Sequence, residues 1–402
     1  MKRRHFIKLA GASPLIMMAP GCTKHTPDAS TNGPAPETSV GVTPQTGRVL
    51  VLVELKGGND GLNTVIPYAD DAYYRLRPQL GIPRDKVLSL NDELGLHPAM
   101  DELMASWAAK DMAILQGVGY DNPNRSHFKS IEIWETAFSE DDPSEEGWLV
   151  EQLKGNIPAG RVTDAIAVGQ QEIGPLRGDL RTLTLEDPER MAQVSRRLGR
   201  LSDKSGSNEA LRHILRTQSN LLGATERIEA RLNKAPVLKT PFPKGKFGEQ
   251  MHMATRLIAS DMPVMVLKVT LGGFDTHAGQ LGRQARLLTQ LSQGLAAMRA
   301  NLIEQGKWSS TLVMTYSEFG RRPIQNGSKG TDHGTAAPHF MLGGGVQGGL
   351  YGKTPSLTDL TNQDLKHHVD FRQVYATITN RWWGLPVQGP LKPFKPLDFV
   401  KT

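Results

Sequence analysis

Val49-Leu50-Val51-Leu52-Val53-Glu54-Leu55 is a continuous apolar run that ends at Gly57-Gly58. It constrains the fold more than any other segment. A strand with one wet face alternates apolar and polar residues; one that is apolar throughout is buried on both faces, as in a parallel sheet covered by helices. Further runs follow at Ala113-Ile114-Leu115 before Gly117, at 262–270 before Gly272-Gly273, at 311–316 before Ser317, and at Phe340-Met341-Leu342 before Gly343. Helical patterns lie between them, at 98–110, 283–305 and 372–383. Alternating strands and helices predict an α/β fold, a mostly parallel central sheet with helices on both faces. The domain is expected over 48–402. A polar stretch at about 186–250, with Leu211, Leu215, Ile228 and Leu232 at helical spacing, reads as a helical insertion.

The chain begins Lys2-Arg3-Arg4-His5-Phe6-Ile7-Lys8, followed by a weakly apolar run to Ala19. Paired arginines before such a run match a twin-arginine export signal, an address read by a receptor. The run is too short to span a bilayer. Residues 1–22 are therefore expected to be a signal peptide, with the twin-arginine translocase as partner and a periplasmic or other extracytoplasmic destination. Cys22 is the one cysteine and follows Ala19-Pro20-Gly21. Two outcomes stay open: lipidation of Cys22, the sole membrane attachment expected, or ordinary cleavage near Ala19. Residues 23–47, rich in Thr, Pro, Ser and Gly, read as a disordered linker. Loss of Lys2, Arg3, Arg4 and Lys8 with the signal lowers the formal charge from +6 to +2. With no basic stretch interleaved with aromatics, nucleic acid is not an expected partner.

In a parallel sheet, ligands bind where strands hand over to loops at their carboxyl ends. Polar clusters sit there. Asp60 follows the first run; Arg125-Ser126-His127 follows the second, where a helix is expected to start. Asp275 and His277 follow the third, and Glu318 follows the fourth. Asp332-His333 precedes the fifth. Carboxylates and imidazoles suit one or two divalent ions of mixed oxygen and nitrogen ligation, with Zn, Mn or Ca as candidates, or else a polar network that holds the loops together without metal. Ser126 at a helix N-terminus suits either a cap or an anion site, and Arg125 with His127 suits phosphate or sulfate.

Gly57-Gly58-Asn59-Asp60-Gly61, Arg125-Ser126-His127-Phe128, Phe274-Asp275-Thr276-His277, Ser317-Glu318-Phe319-Gly320-Arg321 and Gly330-Thr331-Asp332-His333-Gly334 together resemble the exported bacterial family called domain of unknown function 1501. That family is similar, at greater distance, to the alkaline phosphatase and sulfatase superfamily. The resemblance implies an alkaline-phosphatase-like three-layer sandwich. It also implies metal ligands at Asp60, Asp275, His277, Glu318 and His333, with Asp332 as a supplement. Ser126 would be the nucleophile, and Arg125 and His127 would hold the anion. The pattern departs from the superfamily at Phe319, where a histidine would follow the acidic residue, and in the short Asp275-to-His277 spacing.

The expected function is a metal-dependent hydrolase of small phosphate or sulfate esters. The alternative is a non-catalytic binding or scaffolding protein on the same fold. A serine hydrolase is disfavoured, because no Gly-x-Ser-x-Gly elbow surrounds Ser126.

Overall fold

The computed structural model describes residues 47–401 apart from 159–160, 162, 170–171 and 187–222. The expected signal, all but the last residue of the expected linker, and 187–222 of the expected insertion lie outside these residues.

The apolar runs do form strands, and nine strands make one sheet among the described residues. They are β1 (Val49–Lys56), β2 (Met112–Gly119), β3 (Ala165–Val168), β4 (Thr182–Leu185), β5 (Val266–Gly272), β6 (Thr311–Tyr316), β7 (Ala337–Leu342), β8 (Gly349–Tyr351) and β9 (Val369–Asp370). The order across the sheet is β8-β2-β7-β6-β1-β5-β3-β4, and β9 also pairs with β2. β1 lies at the centre, parallel to both neighbours, with Val51 opposite Leu267 and Val313. β7 alone runs antiparallel, against both β2 and β6.

Two apolar layers cover the sheet. Val49, Val51, Val53 and Leu55 point into one, where they join Met251 and Leu257 of α2 (Lys246–Ala259) and Leu288, Leu291 and Leu295 of α3 (Gln280–Glu304). The expected insertion contributes here too, since Ile228 and Leu232 of the helical stretch 223–232 belong to this layer. Leu50 and Leu52 point to the other face, onto Trp134, Trp148, Tyr375 and Trp382. Trp134 lies on α1 (His127–Thr136) and stacks on Phe371 at 4.4 Å, while Trp148 stacks on Tyr375 at 4.1 Å. Phe371 opens the last α-helix, Phe371–Thr377, capped by Asp370 and Gln373 in a reciprocal box. Burying one such large side chain contributes about 1.5–3 kcal/mol, so these layers dominate stability. Glu54 interrupts the apolar run of β1. It is buried and bonded to Lys268 Nζ at 2.6 Å and Thr270 Oγ1 at 2.8 Å, both on β5, so its charge is compensated inside the sheet.

Among the described residues, no helix is long and apolar enough to cross a membrane.

Candidate metal centre

β1, β2, β5 and β6 end at one edge of the sheet, and the antiparallel β7 begins there. The loops that carry the polar clusters therefore meet at that edge. His127 comes from the first turn of α1, after β2. Asp275 and His277 come from the loop after β5. His333 ends the second strand (Thr331–His333) of a hairpin whose first strand is Arg321–Gln325, and this hairpin leads into β7.

The centre of the arrangement is Asp275 Oδ1. It lies 3.0 Å from His277 Nε2, 3.3 Å from His333 Nε2 and 3.5 Å from His127 Nε2. His127, Asp275 and His333 each offer one ligand atom, and these atoms all lie within 4.8 Å of one another. His277 Nε2 is in turn 2.9 Å from His333 Nε2.

Each imidazole is held from behind by its other nitrogen. His333 Nδ1 donates to the Arg125 carbonyl at 2.8 Å, which leaves Nε2 with a lone pair facing Asp275. His127 Nδ1 meets Glu318 Oε1 at 2.7 Å. Its Nε2 is buried and has no hydrogen-bond partner. His277 Nδ1 lies 3.4 Å from Asp332 Oδ1. This is the outer arrangement that metal-ligating histidines adopt, with a carboxylate or carbonyl behind each ring. A buried nitrogen without a partner, and lone pairs converging on one carboxylate, fit a cation between them.

The hydrogen bond to Glu318 raises the His127 pKa, against the opposing effect of burial, so an ion would have to displace a proton there. Burial lowers that of His333, favouring the neutral ring a metal needs. Burial pushes the Asp275 carboxyl up, but the Arg321 guanidinium at 2.6 Å and the neighbouring histidines pull it down to about 2, so it is ionised. Arg321 is itself fully buried and donates to the carbonyls of Gly57, Gly58, Phe274 and Thr331. Gly57 and Gly58 have φ of +119° and +73°, and a Cβ on them would strike the Asp275 backbone and the Phe319 ring.

The sequence-predicted residues divide into three sets. Asp275, His277 and His333 come together, and His127, expected to hold an anion, joins them. Glu318 and Asp332 stand behind the rings. Glu318 also accepts from Gly57 N at 2.9 Å and from Ser317 Oγ at 3.2 Å. The side chains of Asp60, Arg125 and Ser126 make no hydrogen bond or ion pair to this cluster. Both oxygens of Asp60 are held by Arg77, at 2.5 and 2.9 Å, in a pair buried from solvent. Ser126 is exposed at the N-cap of α1 and makes no capping bond with its side chain. The Arg125 guanidinium bonds Asp364 Oδ2 at 2.9 Å. Phe319, at the position of the departure, packs its ring against His127 at 4.9 Å and His333 at 4.6 Å, forming an apolar wall. Arg77, Gln280 and Asp364 gave no local signal, since each is an ordinary polar residue in its own segment.

The family described as "Protein of unknown function (DUF1501)" matches residues 48–386. The chain belongs to this family. No curated protein matches it. Solved structures similar to this DUF1501 protein include the PsFucS1 sulfatase from Pseudoalteromonas sp., at 12% identity and a TM-score of 0.39, covering 87% of this chain and 71% of that one. The C-terminal periplasmic domain of EcEptC from Escherichia coli has 11% identity and a TM-score of 0.40, covering 85% and 83%. The alkaline phosphatase from the Antarctic bacterium TAB5 has 9% identity and a TM-score of 0.33, covering 77% and 95%. Likeness at this distance says nothing about chemistry, which rests on the site itself.

A cleft of about 600 Å³ adjoins the centre, lined by Tyr120, Asn122, Arg125, Asp364, Lys366 and His367 among others. Arg125 belongs to both places: its carbonyl holds His333 and its half-exposed guanidinium faces the cleft.

Proposed function

We propose that this protein is a metal-dependent hydrolase of phosphate or sulfate esters. One observation carries the reading: three imidazole Nε2 atoms and Asp275 Oδ1 converge at the carboxyl edge of the sheet, each ring held from behind. His127, His277, His333 and Asp275 would hold the ion, and an imidazole-rich set suits zinc better than calcium, which takes oxygen ligands. A divalent ion bound there supplies Lewis-acid neutralisation of ester oxygens and lowers the pKa of a bound hydroxyl or water. The exposed Ser126 hydroxyl at the N-terminus of α1, where the helix dipole favours developing negative charge, is the candidate nucleophile. Arg125 turns toward the cleft that would take the remainder of a small anionic ester. Metal analysis of purified protein, with a screen of phosphatase, sulfatase and phosphodiesterase substrates, tests this. Bound zinc and turnover lost in H333A support it, and a protein that binds no divalent ion sinks it. Full activity in S126A would move the nucleophile to water.

The buried Asp60–Arg77 pair favours a second reading, a non-catalytic binding protein, because Asp60 cannot then serve a second ion. Bound metal without turnover on that panel would decide for it. Export by the twin-arginine translocase, with or without lipid at Cys22, belongs to the same proposal. An R3K/R4K protein that still reaches the periplasm would refute that route.

A further inference from the structure

Gln280 opens α3 with its side chain fully buried. A carboxamide has two N–H donors and two acceptor lone pairs. All four are used. Nε2 donates to Asp60 Oδ2 and, at 3.2 Å, to Gln284 Oε1. Oε1 accepts from Thr276 Oγ1 at 3.1 Å and from Thr331 Oγ1 at 2.7 Å. The two threonines place the amide at the root of the site. Thr276 stands between Asp275 and His277, and Thr331 stands two residues before His333.

The other end of Gln280 is anchored just as firmly. Asp60 is locked by Arg77, which also donates to the carbonyls of Arg322 at 3.0 Å and Pro323 at 2.8 Å. Those carbonyls belong to the first strand of the hairpin whose second strand carries Thr331 and His333. The hydrogen bonds therefore close a ring, from Gln280 through Asp60, Arg77 and the hairpin back to Thr331. The loop after β5 and the hairpin reach the site from separate parts of the chain. Other bonds join the same two segments: Thr331 N bonds Thr276 O at 3.3 Å, Asn326 Nδ2 bonds the His277 carbonyl at 3.0 Å, and Arg321 bonds Phe274 O, Asp275 Oδ1 and Thr331 O, but among the described residues Gln280 alone ties both threonines through one buried amide oxygen.

We propose that Gln280 is a positioning residue of the metal centre, helping to set the separation of the 275–277 loop from the 331–333 strand and so of Asp275 and His277 from His333. Gln280 touches no ligand atom and acts through the two threonines. The inference rests on the metal reading only for the second of two readouts.

The first readout is the imidazole nitrogen and proton signals of the metal-free protein by NMR. Q280M preserves length and removes all four bonds; T276V and T331V each remove one. His277 and His333 signals are expected to move in Q280M and, by less, in each threonine variant, while His252 on α2 stays in place as control. The second readout is zinc affinity by chelator competition, expected to fall about 10- to 100-fold in Q280M, the usual effect of losing an outer-shell partner. Adding T331V to Q280M should cost nothing further, since the bond is already gone. Unmoved His277 and His333 signals overturn the proposal, as does zinc affinity within twofold of wild type in Q280M. If Q280M does not fold, the threonine variants decide by the same criteria. A wild-type protein that binds no zinc defeats the metal reading, and the NMR signals then decide this proposal alone.

Discussion

His277 Nε2 and His333 Nε2 stand 2.9 Å apart, and Asp275 Oδ1 lies within 3.3 Å of both. The His333 Nδ1 proton is committed to the Arg125 carbonyl, so its Nε2 can only accept. Either His277 Nε2 donates its proton to that lone pair, or, with the His277 proton on Nδ1, the two lone pairs face each other across a cation.

The first prediction follows from that geometry. H127A and H333A should bind far less zinc than wild type, while D60N keeps wild-type stoichiometry. Metal analysis after dialysis against a weak chelator checks it. Loss of the ion from D60N with Q280M still loaded would return Asp60 to the ligand set.

Glu318 is buried behind His127, with Gly57 N and Ser317 Oγ as its other partners. E318Q keeps the shape but removes the charge that orients the ring. Zinc affinity should fall about 10- to 100-fold. Stability should fall by about 1–3 kcal/mol, the cost of leaving buried partners imperfectly matched. Calorimetric titration and urea unfolding separate the two effects.

Removing Arg77 leaves a buried carboxylate without its cation. R77M should therefore lower the unfolding free energy by about 3–5 kcal/mol, and D60L/R77M should recover most of that loss. Denaturant unfolding of wild type and the two variants checks both statements.

Burial pushes the Glu135 carboxyl up from 4.5 to about 7, against the pull of Lys268. The folded state thus keeps a proton that the unfolded chain releases. The associated stability is fully present below about pH 4.5 and is lost as pH rises through about 7. Relative to E135Q, wild type should lose on the order of 1–3 kcal/mol between these limits. Unfolding curves at pH 4.5, 6 and 8 test it, and parallel pH profiles for the two proteins would refute it.

Local pattern carried much of the fold. The run at 311–316 is strand β6 residue for residue, because a strand buried on both faces must be apolar on both. The helix expected near Ser126 begins at His127, and Trp134, Trp382 and Trp383 are core residues. The same pattern says nothing about direction. Phe340-Met341-Leu342 reads as a strand either way, yet β7 is antiparallel. That direction brings His333, which precedes β7, to the edge where the parallel strands end.

The sequence by itself determined which residues could bear the chemistry and that they flank strands, since apolar period and loop composition are local properties. Tertiary structure decided which of them meet. Asp60 and Asp275 look alike in sequence, each after an apolar run and a Gly-Gly pair. Asp60 meets Arg77 seventeen residues on and Gln280 from α3, and is neutralised in the interior. Asp275 meets three imidazoles at the surface. His127 and Glu318 are 191 positions apart, and only packing of α1 against the end of β6 makes them partners. Such pairings depend on strand order and direction, which no short-range pattern encodes.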